Sequence, residues 1–125
     1  AAGLVPKPVI RRSAAPTSWG IVSVGSCDWA VREALDKLAA NGVHLDYCRV
    51  RAFPFTEEVL EFLSQHERIF VVEQNRDAQL KALLTLETDY PKRQLHSVLH
   101  YGGLPMDASC IVAAVERSGI EGQAA

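Results

Sequence analysis

Four times along this chain, a short run of β-branched and aromatic residues gives way to a segment whose apolar residues recur at helical spacing. Strands separated in this way by helices on short links cannot pair as hairpins. The economical solution is a parallel sheet with right-handed crossovers and helices on both faces, a three-layer α/β/α domain. Gly20-Ile-Val-Ser-Val-Gly25 reads as the first strand. Asp28 to Ala40 follows, with Val31, Ala34, Leu35 and Leu38 on one helix face. Asn41-Gly42 stops that helix, with Gly42 placed for the left-handed position after the cap. Val43 to Val50 alternates as a second strand. Thr56 is positioned to cap a helix through about His66, with Glu57 and Glu58 in the turn where the helix dipole favours negative charge.

Ile69-Phe70-Val71-Val72 is apolar without a break, the mark of a central parallel strand covered on both faces. Arg76 to Thr88 carries Leu80, Leu83, Leu84 and Leu86 and reads as a third helix. Leu95 to Tyr101 reads as a fourth strand. Asp107 to Ser118 reads as a last helix with Ile111, Ala114 and Val115, closed by Gly119. A chain of 125 residues is one domain by length. Residues 18–119 form it on this reading. Residues 1–17, with Pro6, Pro8 and Pro16, are a linker that includes a candidate edge strand at Val9 to Arg12, and 120–125 are a frayed tail.

Composition excludes several roles. The net charge of −2 gives no long-range attraction for nucleic acid or an anionic membrane. No apolar run approaches the roughly 20 residues a bilayer requires. Ala1 to Lys7 lacks the layout of a signal peptide, and the start without Met points to a fragment or a processed chain. Cys27, Cys48 and Cys110 are widely spaced, so no zinc or iron–sulfur ligand set is expected from this chain, and reduced thiols fit a cytoplasmic location. His96 and His100 are four apart on a strand pattern, about 13 Å, too far to share a metal ion.

In an open parallel sheet, ligands and partners meet the carboxyl ends of the strands. Two segments there stand out. Gly25-Ser26-Cys27-Asp28 enters a helix. Its N–H groups suit an anion, but Ser26 or Asp28 serves equally as a plain cap, and Asp28 repels phosphate. A helix N-terminus also lowers a thiol pKa, which makes Cys27 a candidate nucleophile, although no His neighbours it in sequence. Glu73-Gln74-Asn75-Arg76, with Gln79 one turn on, is the densest polar cluster. Either Asn75 caps the helix and the others are solvated, or the group is a contact surface for another domain or a ligand.

Four runs carry a family resemblance: Gly20 to Ser26, Asp46-Tyr-Cys-Arg-Val-Arg-Ala-Phe-Pro-Phe55, Val71-Val-Glu-Gln-Asn-Arg-Asp-Ala-Gln-Leu80 and His100-Tyr-Gly-Gly-Leu-Pro105. In order and spacing they resemble the C-terminal part of the alpha subunit of 2-oxoacid:ferredoxin oxidoreductases, over about residues 6–118. The resemblance implies a transketolase C-terminal-like domain: a mostly parallel five-stranded sheet whose antiparallel edge is Val9 to Arg12. It also implies that the strands starting at Gly20 and Ile69 are neighbours at the switch point. The parent enzyme it implies acts on a 2-oxoacid of the 2-oxoglutarate or pyruvate type. That enzyme uses thiamine diphosphate with Mg, coenzyme A and an iron–sulfur cluster, and passes electrons to ferredoxin. Implied partners are the pyrimidine-binding domain of the same subunit and the beta subunit. The Gly-Asp-Gly diphosphate motif is not in this sequence, so no catalytic, cofactor-binding or metal-binding residue is carried over. The expectation is a structural and assembly domain that is not catalytic alone. The rivals are a small anion- or nucleotide-binding regulatory module in the same crevice, and a thiol enzyme built on Cys27.

Overall fold

The computed structural model describes residues 8–24, 28–50, 56–73, 79–99 and 108–124. Five strands form one sheet among them: β1 (Val9–Arg11), β2 (Trp19–Val24), β3 (Asp46–Val50), β4 (Arg68–Glu73) and β5 (Leu95–Leu99). Their order is β1-β3-β2-β4-β5. β1 runs antiparallel to β3, with Val9 opposite Arg49, and every other pair is parallel. The helices are α1 (Asp28–Ala40), α2 (Glu57–Ser64), α3 (Gln79–Glu87) and α4 (Ala108–Ala124).

Alternation along the central strands splits the core in two. Ile21, Tyr47, Phe70 and Val72 face α1 and α4, where Val31, Leu35, Leu38, Ile111 and Val115 are buried. Val22, Cys48, Val50, Ile69 and Val71 face α2 and α3, where Val59, Phe62, Leu63 and Leu84 are buried. The three layers and the antiparallel edge are as the sequence led us to expect. β2 lies between β3 and β4, so the chain reverses its direction of winding at the β2–β4 pair, and the carboxyl ends of those strands mark the switch point.

Helix α1 has the bounds its periodicity predicts. Gly42 takes φ 82°. The Val43 N–H reaches the Leu38 carbonyl at 2.9 Å and the Gly42 N–H reaches that of Ala39 at 3.0 Å, a Schellman closure. That closure occupies Val43, which is why β3 starts at Asp46 and not at Val43. Three further differences have local causes. Thr56 takes the N-cap conformation of α2, but its hydroxyl makes no capping hydrogen bond and is buried without a partner. Leu86, patterned as core, is 80% exposed at the end of α3, while Leu84 is fully buried. α4 runs through Gly119 to Ala124, where the sequence placed a tail. A glycine inside a helix costs only about 1 kcal/mol relative to Ala, and nothing after Gly119 breaks the helix.

Two packing details bear on stability. A Cβ on Gly20 would sit 3.0 Å from Phe62 Cζ and 3.1 Å from Ile69 Cδ1, so α2 lies directly on the β2 backbone. His66, just past α2, is buried with Nδ1 at 2.6 Å from the Phe62 carbonyl and Nε2 at 2.8 Å from Asp46 Oδ2. Asp46 Oδ1 accepts the Ser13 N–H at 2.8 Å, and Arg12 lies 3.4 Å from Oδ2. This clasp holds the segment after β1 against the start of β3. Cys48 is fully buried, and desolvation pushes its thiol up to about 12, so it acts as a small core residue. No helix among the described residues is long and apolar enough to cross a membrane.

Candidate functional site at the carboxyl edge of the sheet

Helix α1 starts where β2 delivers the chain, and this places Asp28 over the ends of β2 and β3. The buried Tyr47 hydroxyl donates to Asp28 Oδ1 at 2.7 Å and lies 2.7 Å from Ser23 Oγ, which therefore donates to it. Arg32 Nε donates to Asp28 Oδ2 at 2.9 Å, and Arg49 NH1 stands 3.9 Å from the same oxygen. Burial alone would raise the Asp28 pKa. The Tyr47 and Arg32 hydrogen bonds, with the charges of Arg32 and Arg49, outweigh it and hold the carboxyl below its usual 3.8. Burial pushes the Tyr47 phenol far above its ordinary value, so this hydroxyl donates and does not act as a base.

Glu73 closes β4 at 2% exposure. It follows Val72, which faces α1, so its side chain lies on the opposite face of the sheet. There Glu73 Oε2 accepts the backbone N–H of Lys81, in the first turn of α3, at 3.1 Å. A carboxylate on the preceding strand thus satisfies an opening N–H of this helix, and the dipole there favours its charge. The sequence assigned such a role to Asn75. The described part of α3 is Gln79–Glu87; the start its apolar pattern suggests, at Arg76, lies outside the described residues.

Of the nine candidate residues, Asp28 and Glu73 are at the carboxyl edge, on opposite faces, and Gln79 is the first residue of α3. Gly25, Ser26, Cys27, Gln74, Asn75 and Arg76 lie outside the described residues. Sequence reasoning missed Ser23, Tyr47, Arg32 and Arg49. Arg32 was open to detection, because it stands four residues after Asp28 at ion-pair spacing. The Tyr47 contact crosses from α1 to β3 and left no local sign. Among the described residues, no three His, Cys, Asp or Glu side chains gather as a metal site.

Clefts among the described residues lie away from this edge. One of about 390 Å³ lies between α2 and the α3–β5 link, bounded by Leu60, Leu63, His66 and Tyr90. Another, of about 370 Å³, sits at the amino ends of β2, β4 and β5 between Trp19, Arg68, Arg93 and His96. In it the Arg68 guanidinium stacks on Trp19 at 4.8 Å.

Both Asp28 and Asp46 are held below the ordinary carboxylate value. For Asp46, burial is outweighed by the Ser13 and His66 hydrogen bonds. Their contribution to stability is present above the unfolded value of 3.8 and is lost as pH falls through the lower folded values. The thermal midpoint should therefore hold from neutral pH down to about 4–5 and drop below that. In Asp28→Asn/Asp46→Asn the acid limb should be shallower. An unchanged limb in circular-dichroism melts at stepped pH would assign acid sensitivity to other groups.

No family model matches the chain. A curated relative does: the alpha subunit of 2-oxoacid:ferredoxin oxidoreductase 2 of Aeropyrum pernix is 32% identical over 102 residues, 80% of this chain. The chain belongs to the 2-oxoacid:ferredoxin oxidoreductase alpha-subunit family. It spans 16% of that relative's length. Solved structures agree on the fold. The 2-oxoglutarate:ferredoxin oxidoreductase of Magnetococcus marinus, solved with 2-oxoglutarate, coenzyme A and succinyl-CoA bound, superposes with TM-score 0.81 at 23% identity, over 93% of this chain and 20% of that one. The alpha chain of a probable 2-oxoacid ferredoxin oxidoreductase of Thermoplasma acidophilum gives TM-score 0.59 at 23% identity, over 90% and 96%. A split-gene transketolase gives TM-score 0.66 at 17% identity, over 89% and 40%. This alpha-subunit segment has the transketolase C-terminal-like fold.

Proposed function

We propose that this segment is a structural and assembly domain of a thiamine-diphosphate-dependent 2-oxoacid:ferredoxin oxidoreductase of the cytoplasm. On this reading it seats the pyrimidine-binding domain of its own subunit and the beta subunit, and ferredoxin is met only through the assembled enzyme. The observation that carries the reading is the state of the carboxyl edge. Both described carboxylates there are engaged by the chain's own groups, Asp28 by Tyr47 and Arg32 and Glu73 by the Lys81 N–H. Tyr47 is a buried donor. No group of this set is poised to take a proton from a substrate.

These residues do not fit thiamine diphosphate either. Among the described residues, the cations at this edge, Arg32 and Arg49, are both drawn to Asp28, and Asp28 and Glu73 lie on opposite faces, where they cannot share a metal ion for a diphosphate. No step is derived through that cofactor. The 2-oxoglutarate or pyruvate type of substrate would be set by residues elsewhere in the parent enzyme.

The test has two arms. The purified 125-residue chain, given thiamine diphosphate, Mg, coenzyme A, a viologen acceptor and either 2-oxoacid, should reduce no acceptor. Mixed with the remaining alpha-subunit residues and the beta subunit, it should co-elute with them on sizing chromatography. Turnover by the chain alone, or separate elution, would sink the proposal. Stabilisation of the isolated chain by nucleotides or coenzyme A would favour the second reading, an anion-binding module, seated not in the carboxyl-edge crevice but in the Arg68–Arg93 cleft at the amino ends of the strands.

A further inference from the structure

Helix α1 opens with a large aromatic in solvent: Trp29 is 54% exposed, although it adjoins the buried Ala30 and Val31. Arg32, three residues on, lies on the same side of the helix. The charges along the solvent side of α1 are otherwise matched one to one. Glu33 pairs with Lys37 at 3.6 Å, and Asp36 pairs with Arg11 at 2.8 Å. At the Trp29 end the match fails, because Arg32 and Arg49 both lean on Asp28. Among the described residues, two guanidiniums against one carboxylate leave a net positive charge at the end of α1 that carries the exposed Trp29. At 3.9 Å, Arg49 is beyond hydrogen-bond distance from Asp28, so Asp28 attracts its fork of donors without binding it.

We propose, resting on the assembly reading above, that Trp29, Arg32 and Arg49 form the surface on which this domain docks an acidic segment of the remaining enzyme. Tryptophan and arginine are the side chains that dominate binding at protein interfaces, and Arg presents a planar fork that matches a carboxylate. The Tyr47–Asp28–Arg32 chain of hydrogen bonds fixes the base of the surface, so little side-chain freedom is left to lose on docking. A partner carboxylate would pair with the Arg49 fork while its apolar neighbours cover the indole.

The test is association of the 125-residue chain with the remaining alpha-subunit residues and the beta subunit, followed by interferometry at stepped salt. Trp29→Ala and Arg49→Glu should each weaken binding by about tenfold or more. Arg49→Gln should weaken it less, and Arg11→Glu, on the matched part of the helix, should not weaken it. Wild-type affinity should fall with salt, and Arg49→Glu should lose much of that dependence. Melting of each variant chain separates a lost contact from a lost fold. If the wild-type chain associates and both Trp29→Ala and Arg49→Glu match it, the surface is wrongly assigned and the assembly reading stands. If the wild-type chain does not associate, both fall together.

Discussion

His66→Ala should lower the thermal midpoint of this domain by roughly 10 °C, the equivalent of about 3 kcal/mol. The imidazole is buried, and each ring nitrogen meets an acceptor, the Phe62 carbonyl and the Asp46 carboxylate. Removing it takes the shortest side-chain partner from a nearly buried carboxylate, which keeps only the Ser13 N–H and Arg12, and leaves a void beside the Phe62 ring, whose centre lies 4.4 Å from that of His66. Asp46→Ala should cost a similar amount by a second route, because it also releases the Ser13 N–H and Arg12. The two losses should not add, since both break one network. Amide exchange at Ile10 and Cys48, which face each other across β1 and β3, should rise more in Asp46→Ala than in His66→Ala. A fall of less than about 3 °C for His66→Ala would mean that solvent replaces the imidazole without strain.

Gly20→Val is the second large effect, about 2–3 kcal/mol from overpacking. The first added carbon already meets Phe62 and Ile69 at 3.0–3.1 Å, and the branch would press two methyl groups against the same ring. Phe62 cannot retreat easily, because it is itself buried and the Arg12 guanidinium lies 5.8 Å from its centre. The backbone of a central strand cannot shift without breaking pairs to both β3 and β4. Urea midpoints should fall at constant slope. Shortening the ring by Phe62→Leu should recover part of the loss in the double variant, and a failure to recover any would place the strain in the strand and not in the ring.

Local physics made much of this fold legible. The apolar face of α1, the left-handed Gly42 and the buried Ile69–Val72 run of β4 each follow from residues within a few positions of one another. Strand order does not. No periodicity says that β2 sits between β3 and β4; that expectation came from the resemblance. The errors share a cause as well. Thr56, Leu86 and Gly119 were read by what their residue types prefer, and in each case packing or helix continuation prevailed. At the candidate site, Asp28 and Glu73 were visible because they follow strands. Their partners Tyr47 and Lys81 were not, since those contacts depend on how the elements meet. The His66–Asp46 clasp was hidden for the same reason, its two members being divided by all of α2.

The strand order also governs the chain as it is being made. Gly20 of β2 must pair with Asp46 on one side and with Ile69 on the other, and these partners leave the ribosome well apart in time. Once β3 has emerged, β2, α1 and β3 can come together, but the far side of β2 has no neighbour until β4 is synthesised. Through that interval an apolar strand carries unpaired N–H and C=O groups, open to a strand from another nascent chain. Slow translation between residues 50 and 69 would lengthen that interval.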